Sequence, residues 1–283
     1  MIHSIEAQKT TGMGTGPWPV LSQIREYVYW LKDYDGNMTI LVGDDGLLLV
    51  DAKSGKNAAR TWHVIDSAFH KPVKILINTH YHSDHTGGDS LLVGGNVSLI
   101  MHGNCRTTLI ARLDSIGRYH AFADDAKTFR ENLKVPFGNE MVSLFHFGNA
   151  HTAGDVIVVF EKSRVVATGD ILFNKIPPYI DVADHSNTEN WIKILRRLGT
   201  DYNDCIFVPG HGSLANMIDL SKFANFLQYL RDQVAAAIAG GKSKEDAIET
   251  IDIQLFSNIN DPRPNSSLTV KKTIGMIYEE MKR

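Results

Sequence analysis

Cysteine is scarce in this chain, with only Cys105 and Cys205 among 283 residues. The two lie far apart, and neither belongs to a close-spaced cysteine motif. The sequence therefore offers no cysteine-rich metal site and no disulfide framework. Buried thiols are the expected state of both residues, with a single disulfide or a reactive thiol as the alternatives.

Long apolar runs are also missing. No stretch reaches the roughly 20 apolar residues that a membrane-spanning helix requires. Residues 1–8 contain neither the basic region nor the apolar region of a secretory signal. We therefore expect no membrane partner and, by default, a cytoplasmic protein. A periplasmic or secreted protein is the alternative if a leader has been removed.

The chain has no excess of basic charge. Its 29 Lys and Arg residues against 32 Asp and Glu residues give a formal net charge of −3. A basic surface is what attracts a nucleic-acid backbone, so we expect a small-molecule partner and no nucleic acid. Hydrophobic residues at 43% and charged residues at 22% are ordinary for a globular protein with a substantial core.

Strand patterns and helix patterns alternate along the chain. Strands are predicted at residues 26–31, 38–42, 47–50, 73–77, 97–101, 141–147, 155–160, 164–167 and 205–208. Helices are predicted at residues 57–69, 104–116, 188–198, 220–239, 243–250 and 268–281, while residues 118–135 are ambiguous. The order predicts an α/β fold, a four-layer αββα sandwich with a helical tail from about residue 215. We expect an irregular arm at residues 1–22 and one domain at residues 23–283.

Four potential metal donors lie within residues 80–85, directly after the apolar strand pattern at 73–77: His80, His82, Asp84 and His85. Two side chains two positions apart on an extended segment point to the same side. A sharp turn after them would bring Asp84 and His85 to the same place. Because α/β folds place their sites where strands end, this position predicts a functional site.

Three further donors lie downstream in loop-like contexts, namely His151, Asp170 and His211. Seven nitrogen and oxygen donors are enough for two adjacent divalent metals. We expect two sites bridged by one carboxylate: His80, His82 and His151 in one, Asp84, His85 and His211 in the other, and Asp170 between them. Imidazole and carboxylate suit zinc, with iron or manganese possible. Structural zinc sites are closed and usually cysteine-rich, so this donor set indicates catalysis.

Paired metals of this kind lie about 3.5–4 Å apart and can share a hydroxide, because metal binding lowers the pKa of water to about 7. The shared hydroxide would attack a carbonyl that the open coordination position polarises. Asp84 is expected to be the catalytic residue, both as a ligand and as acceptor of the proton from the attacking water. Gly87 and Gly88, and likewise the glycines beside Asp170 and His211, are expected to let the backbone pass close beneath the metals. Asp51 is expected to orient an imidazole.

At these seven residues the chain resembles the metallo-β-lactamase superfamily, whose signature reads His-x-His-x-Asp-His followed by His, Asp and His. The likeness spans roughly residues 26–212. The resemblance implies the αββα sandwich and two zinc ions. It also implies that the first three histidines bind one zinc, that Asp84, His85 and His211 bind the other, and that Asp170 bridges them.

The chain departs from many β-lactamases after the bridging position. Those enzymes carry Cys or Ser where this chain has Asp170, and one zinc-dependent subclass has a substrate-gripping lysine three positions later. That position here is Phe173, with Lys175 two residues further on. An aspartate bridge is typical of glyoxalase II-type thioesterases and acyl-homoserine lactonases. The resemblance therefore favours a dinuclear zinc hydrolase acting on a small ester, lactone, thioester or cyclic amide.

Two alternatives stay open. The first is a metallo-β-lactamase that hydrolyses β-lactams. The second, from another class, is an iron-dependent oxidoreductase like the persulfide dioxygenases, which use only the three-histidine half of the signature. A phosphodiesterase acting on RNA is disfavoured by the acidic charge balance. Four residues downstream of the bridge are candidate substrate contacts: Phe173, Asn174, Tyr179 and His185.

Overall fold

Two β-sheets form the middle of the structure, a computed structural model that describes residues 3–5, 18–33, 35–118, 120–260 and 268–283. The strands of the first sheet lie side by side in chain order: β1 (His3–Ile5), β2 (Val20–Arg25), β3 (Val28–Lys32), β4 (Met38–Val42), β5 (Leu47–Val50), β6 (Val73–Ile77), β7 (Ser98–His102) and β8 (Lys127–Phe129). Those of the second also follow chain order: β9 (Asn132–Phe137), β10 (Glu140–Phe145), β11 (Ile157–Phe160), β12 (Val165–Asn174) and β13 (Ile206–Gly212). Strands β5 to β8 run parallel, as do β12 and β13, while the other neighbouring strands are antiparallel.

Helices lie outside both sheets. They are α1 (Gly55–Phe69), α2 (Ser83–Thr86), α3 (Asp89–Leu92), α4 (Gly103–Ser115), α5 (Ala121–Asp124), α6 (Thr188–Asp201), α7 (Met217–Ala239), α8 (Lys244–Thr250) and α9 (Val270–Met281). Short 3-10 turns occur at Val182–Asp184 and Gln254–Phe256. Helix α7 begins at a capping box, in which Asn216 and Asp219 satisfy each other's backbone N–H groups.

Three apolar clusters define four layers. Side chains such as Ile77 and Val158 fill the space between the two sheets. On the outer face of the first sheet, Leu76 packs with Val64 and Ile65 of α1. On the outer face of the second sheet, a larger cluster joins Phe207 of β13 to Trp191 of α6 and to residues of α7 and α9. The predicted αββα sandwich with helices at its C-terminal end is therefore confirmed.

Strand β12 is longer than its sequence pattern indicates. The prediction ends at residue 167, because Thr168, Gly169 and Asp170 have the composition of a loop, whereas the strand continues to Asn174. Its residues are buried throughout, and its pairing with β13 shifts register on either side of Gly169. Cover on both faces and a parallel partner keep these polar residues extended. Asp170, the expected bridging residue, consequently lies within a strand, and not in a loop.

Two other regions differ from the sequence expectation. The irregular arm predicted for residues 1–22 contains strand residues at both ends, since β1 pairs with β2, while residues 6–17 lie outside the described part. The ambiguous residues 118–135 contain α5, β8 and most of β9. Both regions form edges of their sheets, where pairing with a neighbouring strand decides the structure more than the local pattern does.

The connections place the predicted donors together. Asp51 follows β5, the run from His80 to His85 follows β6, and Asp170 and His211 lie in the neighbouring strands β12 and β13. Cys105 and Cys205 are buried free thiols, as expected. Among the described residues, no helix combines the length and apolarity needed to cross a membrane.

Candidate metal centre

The seven predicted donors converge on one place. The first donor set consists of His80, His82, His151 and Asp170, and the second of Asp84, His85 and His211. Within each set, the candidate ligand atoms all lie within 4.8 Å of one another. The structure therefore brings together residues that lie far apart in the sequence, from His80 to His211.

Asp170 lies between the two sets. Its Oδ2 lies 3.6 Å from Nε2 of His80 and 3.4 Å from Nε2 of His151. Its Oδ1 lies 3.2 Å from Nε2 of His85 and 3.5 Å from Nε2 of His211. One carboxylate oxygen thus faces each group of imidazoles, which is the arrangement that a bridging ligand requires.

The donor atoms fit a bound cation better than they fit one another. Nε2 of His85 and Oδ1 of Asp170 are buried and lie 3.2 Å apart, but neither makes a hydrogen bond of acceptable geometry among the described residues. Buried polar atoms in folded proteins are nearly always satisfied, so such orphans need an explanation. Imidazole nitrogen and carboxylate oxygen with no thiolate are the ligands of catalytic zinc, and of iron or manganese. The residues present therefore fit divalent metals.

The two sets differ in electrostatics. Burial lowers the pKa of His151 to about 4, and burial together with neighbouring histidines holds that of His80 well below its usual value. Burial also opposes protonation of His85 and His211, but Asp170 and the other nearby carboxylates outweigh it. They raise the pKa of both, to about 9 for His211. His80 and His151 are thus poised as neutral imidazoles, whereas His85 and His211 are protonated when they hold no metal.

The two carboxylates of the site are ionised. Burial disfavours the charged form of Asp170, but positive charge on His211 and His85 prevails and holds its pKa well below the usual range. For Asp84, burial is likewise outweighed by His85 and His211, and its pKa is also lowered. Asp84 is the more exposed donor, with 28% of its side chain accessible, and its Oδ2 lies 3.2 Å from Nε2 of His211.

Asp51 lies behind the second set, as its position after β5 predicts. Its Oδ2 lies 2.8 Å from Nδ1 of His85 and so leaves Nε2 of that ring to face the site. The same carboxylate accepts hydrogen bonds from the backbone N–H and hydroxyl of Thr79. Thr79 Oγ1 in turn lies 3.1 Å from Nδ1 of His80. One buried acid therefore orients His85 directly and His80 through Thr79.

The glycines that lie against the site are only partly those expected. A Cβ on Gly87 or Gly88 would collide with backbone atoms near the start of α1, so these residues serve close packing there and do not pass beneath the metals. Gly36 and Gly210 do lie against the site. A Cβ on Gly36 would lie 2.6 Å from Cε1 of His85, and one on Gly210 would overlap Oδ1 of Asp170. The sequence interpretation missed Gly36, which lies on the connection between β3 and β4.

The four candidate substrate contacts occupy different environments. Phe173 is 1% exposed and stacks on His211 with ring centroids 5.3 Å apart, so it supports that ligand from the core. Asn174 donates to the backbone oxygens of Ser213 and Leu214 at the wall of a cavity. Tyr179 is exposed, with its ring 5.7 Å from that of His82. His185 ends the 3-10 turn in a left-handed conformation with an exposed side chain. Contact of these residues with a substrate stays a prediction.

A cavity of about 710 Å³ adjoins the second donor set. His211 reaches it from the site, and two aromatic residues and two lysines line its other walls: Trp18, Trp30, Lys32 and Lys175. The two acids at its rim are engaged elsewhere, since Asp33 accepts from buried Lys53 at 2.9 Å and Asp35 accepts from Asn57 at 2.6 Å. The cavity therefore combines apolar surface with charged groups of both signs.

Comparison with known proteins identifies the family. The sequence profile of the metallo-beta-lactamase superfamily (Lactamase_B) matches residues 31–211. The chain is 30% identical over 192 residues to the 2,4-dinitroanisole O-demethylase subunit alpha of Nocardioides sp. (strain JS1661), covering 66% of this chain and 56% of that protein. It is 24% identical over 186 residues to metallo-beta-lactamase IND-1 of Chryseobacterium indologenes, covering 65% of this chain and 74% of that enzyme.

Solved structures show the same fold. The stereoselective inverting sec-alkylsulfatase Pisa1 from Pseudomonas sp. superimposes with a TM-score of 0.69 at 13% identity, covering 91% of this chain and 49% of that one. A metallo-beta-lactamase from Pontibacter korlensis gives 0.60 at 17% identity, covering 81% and 99%. The chain spans about half the length of the sulfatase and 56% of the demethylase subunit.

The chain belongs to the metallo-β-lactamase superfamily. The profile covers most of the chain, including all seven donors. The predicted superfamily and fold are confirmed.

Proposed function

We propose that the protein is a dinuclear zinc hydrolase that acts on a small ester, lactone, thioester or cyclic amide. The observation that carries the proposal is the position of Asp170, with one carboxylate oxygen facing each of two complete donor sets. Two divalent metals bound there would supply an activated water at neutral pH and polarise the substrate carbonyl. Because the metal supplies the nucleophile, no serine or cysteine nucleophile is needed.

Asp84 has the position of a proton acceptor. Its carboxylate is ionised and is the most exposed group of the second donor set. A water molecule at the open face can give a proton to the oxygen of Asp84 that is not engaged with His211. This is the role of a general base. We therefore propose two functions for Asp84, ligand and base.

The cavity beside His211 is the proposed place for the rest of the substrate. Trp18 and Trp30 offer apolar contact, and Lys32 and Lys175 offer positive charge. Lys32 lies 3.4 Å from the hydroxyl of Ser213 and 5.5 Å from the ring centroid of Trp30, and no acidic partner for it is recorded among the described residues. A compact molecule with an apolar body fits such a pocket.

Hydrolysis of β-lactams is the second candidate. It is favoured by relatives named as metallo-beta-lactamases, at 24% identity in Chryseobacterium indologenes and 27% in Bacillus cereus. Against it, Phe173 is buried at the position where one subclass carries a lysine. Oxidative chemistry at a single iron would need only His80, His82 and His151. The complete second set favours two metals instead.

Elemental analysis combined with a substrate panel tests the proposal. The purified protein is expected to hold two equivalents of zinc and to hydrolyse at least one of the lactones, esters, thioesters or cyclic amides. Chelation should abolish turnover, and added zinc should restore it. Absence of metal-dependent turnover from zinc-saturated protein across the panel contradicts the proposal. Turnover confined to nitrocefin and carbapenems would support the second candidate, and one equivalent of iron the oxidative alternative.

A further inference from the structure

His82 lies between the first donor set and a buried carboxylate. Its Nδ1 lies 3.1 Å from Nε2 of His80 and 3.0 Å from Nε2 of His151. Its Nε2 lies 2.8 Å from Oδ2 of Asp181. Because a carboxylate only accepts, Nε2 of His82 carries the hydrogen and donates it. Nδ1 is left with the free lone pair that a metal requires.

Asp181 is itself held in place from several sides. Its side chain is 3% exposed. The hydroxyl of Tyr81 donates to its Oδ2, and the backbone N–H of Asp184 donates to its Oδ1 at 3.2 Å. A fixed carboxylate therefore faces His82.

The same short segment orients a second imidazole. The backbone oxygen of Tyr179 lies 2.9 Å from Nδ1 of His151 and accepts its hydrogen, which leaves Nε2 of that ring facing the site. Two of the three imidazoles in the first donor set thus take their orientation from residues 179–181. The sequence singles out neither residue for this purpose. Asp181 lies 99 positions from His82, and Tyr179 acts through its backbone oxygen, which any residue type would supply.

We infer that Asp181 is a positioning residue for the first metal, fixing the tautomer and ring orientation of His82 without touching the metal. This inference rests on the two-metal site of the proposed function. Partners of this kind, behind a metal-bound histidine, change metal affinity by about 10–100-fold when removed. The second donor set is supported separately by Asp51 through His85. The loss on changing Asp181 should therefore be confined to one of two bound metals.

Calorimetric zinc titration of the metal-free protein tests the inference. In Asp181→Ala, one of the two zinc equivalents is expected to bind about 10–100-fold more weakly, and the other to keep its wild-type affinity. Asp181→Asn keeps an acceptor but loses the negative charge, so its loss should be smaller than that of the alanine variant. Circular dichroism checks that both variants are folded.

Asp184→Ala is the matched control. Asp184 lies in the same turn and accepts hydrogen bonds from the hydroxyl of Thr108 at 3.0 Å and the backbone N–H of Ala153 at 3.1 Å. If Asp181 mattered only by holding this turn, the control would weaken zinc binding as much. Equal losses in the two alanine variants, or no loss in Asp181→Ala, overturn the inference.

Nuclear magnetic resonance of ¹⁵N-labelled histidine gives a second readout. In the zinc-loaded wild type, His82 should be protonated at Nε2, with a slowly exchanging hydrogen. In Asp181→Ala the His82 signal should be lost, whereas the corresponding signal of His85 should persist. Persistence of the His82 signal in this variant contradicts the inference. A wild type that binds a single zinc would refute the two-metal function, and the effect of Asp181→Ala on that zinc would still decide the inference.

Discussion

The two donor sets meet at Asp170 but differ in what lies behind them. Behind the second set is Asp51, at the end of a strand in the first sheet. Behind the first set is the segment at residues 178–184, which the C-terminal helix contacts through a hydrogen bond from Thr273 to the oxygen of Pro178 at 2.8 Å. Helix α9 lies beyond residues 31–211, where the family profile matches. All seven donors thus lie within the residues that the profile matches, but part of the support behind the first donor set comes from the tail.

Removal of Asp170 should weaken metal binding by both donor sets at once, because both lose their shared ligand. In Asp170→Ala, hydrolysis is expected to fall about a thousandfold or more, since the nucleophile and the polarising cation are both lost. Zinc stoichiometry by elemental analysis should fall below two. A matched control is Asp204→Ala, which removes an exposed aspartate that pairs with Arg164. Retention of two tightly bound zincs in Asp170→Ala would show that Asp170 is not the bridge.

Asp84→Asn separates ligation from proton transfer within the second set. The amide oxygen can still bind a metal, but the side chain no longer accepts a proton. We expect kcat to fall by about 10²–10⁴-fold while zinc content stays close to that of the wild type. Steady-state kinetics and elemental analysis on the same sample measure both. A variant with full zinc and wild-type kcat would exclude Asp84 as the base.

Asp51→Asn is the counterpart of Asp181→Ala. Asp51 has a φ of 65°, a left-handed conformation that Asn also tolerates, so the substitution removes charge without backbone strain. Zinc affinity is expected to fall by about 10–100-fold, chiefly at the second set through His85. Calorimetric titration beside the Asp181 variants measures it. If the same one of the two zinc equivalents were weakened in the Asp51 and the Asp181 variants, the supports of the two donor sets would not be independent.

The pH dependence of metal binding should also distinguish the sets. His211 has a pKa raised to about 9, so at pH 7 it holds a proton that a metal must displace. Affinity of the second set should therefore rise with pH by up to about tenfold per unit for each proton released, and level off above about pH 9. His151, with a pKa lowered to about 4, is already neutral at pH 7 and adds no such slope. Titrations in buffers of different ionisation enthalpy measure the protons released, and equal release by both equivalents would contradict this assignment.

The smallest effect is expected from the tail. Thr273→Val keeps the shape of the side chain and removes its hydrogen bond to Pro178, at a cost of about 1 kcal/mol in stability. Affinity of the first set should fall only a few-fold, because Tyr81 and the backbone of Asp184 still hold Asp181. Thermal melting and zinc titration measure the two quantities. A loss as large as that of Asp181→Ala would mean that the tail, and not Asp181, governs the first site.

The sequence predicts which donor residues converge, because their signal is local. His80, His82, Asp84 and His85 lie in one short run, and Asp170 and His211 lie beside glycines. It predicts Asp51 for a similar reason, since the residue ends a strongly apolar strand. It cannot predict Asp181, because no periodicity links that aspartate to His82 and only the fold brings the two together.

The fold likewise divides into elements that follow from the local sequence and elements that depend on tertiary contacts. Strands β4, β5 and β6 have the predicted bounds, since each is an apolar run between turn residues. Strand β12 was predicted too short, because the residues after position 167 owe their extended conformation to β13 and to cover on both faces. The cavity lined by Trp18, Trp30 and Lys175 could not be predicted for the same reason, because only tertiary contacts bring these residues together.

Anomalous diffraction at the zinc edge, from crystals of zinc-loaded protein, tests the central claim most directly. The account predicts two peaks about 3.5–4 Å apart, one on each side of the carboxylate of Asp170. The first should be ligated by Nδ1 of His82 and the second by His85 and His211. A single peak at full zinc occupancy, or none among these residues, would contradict the account.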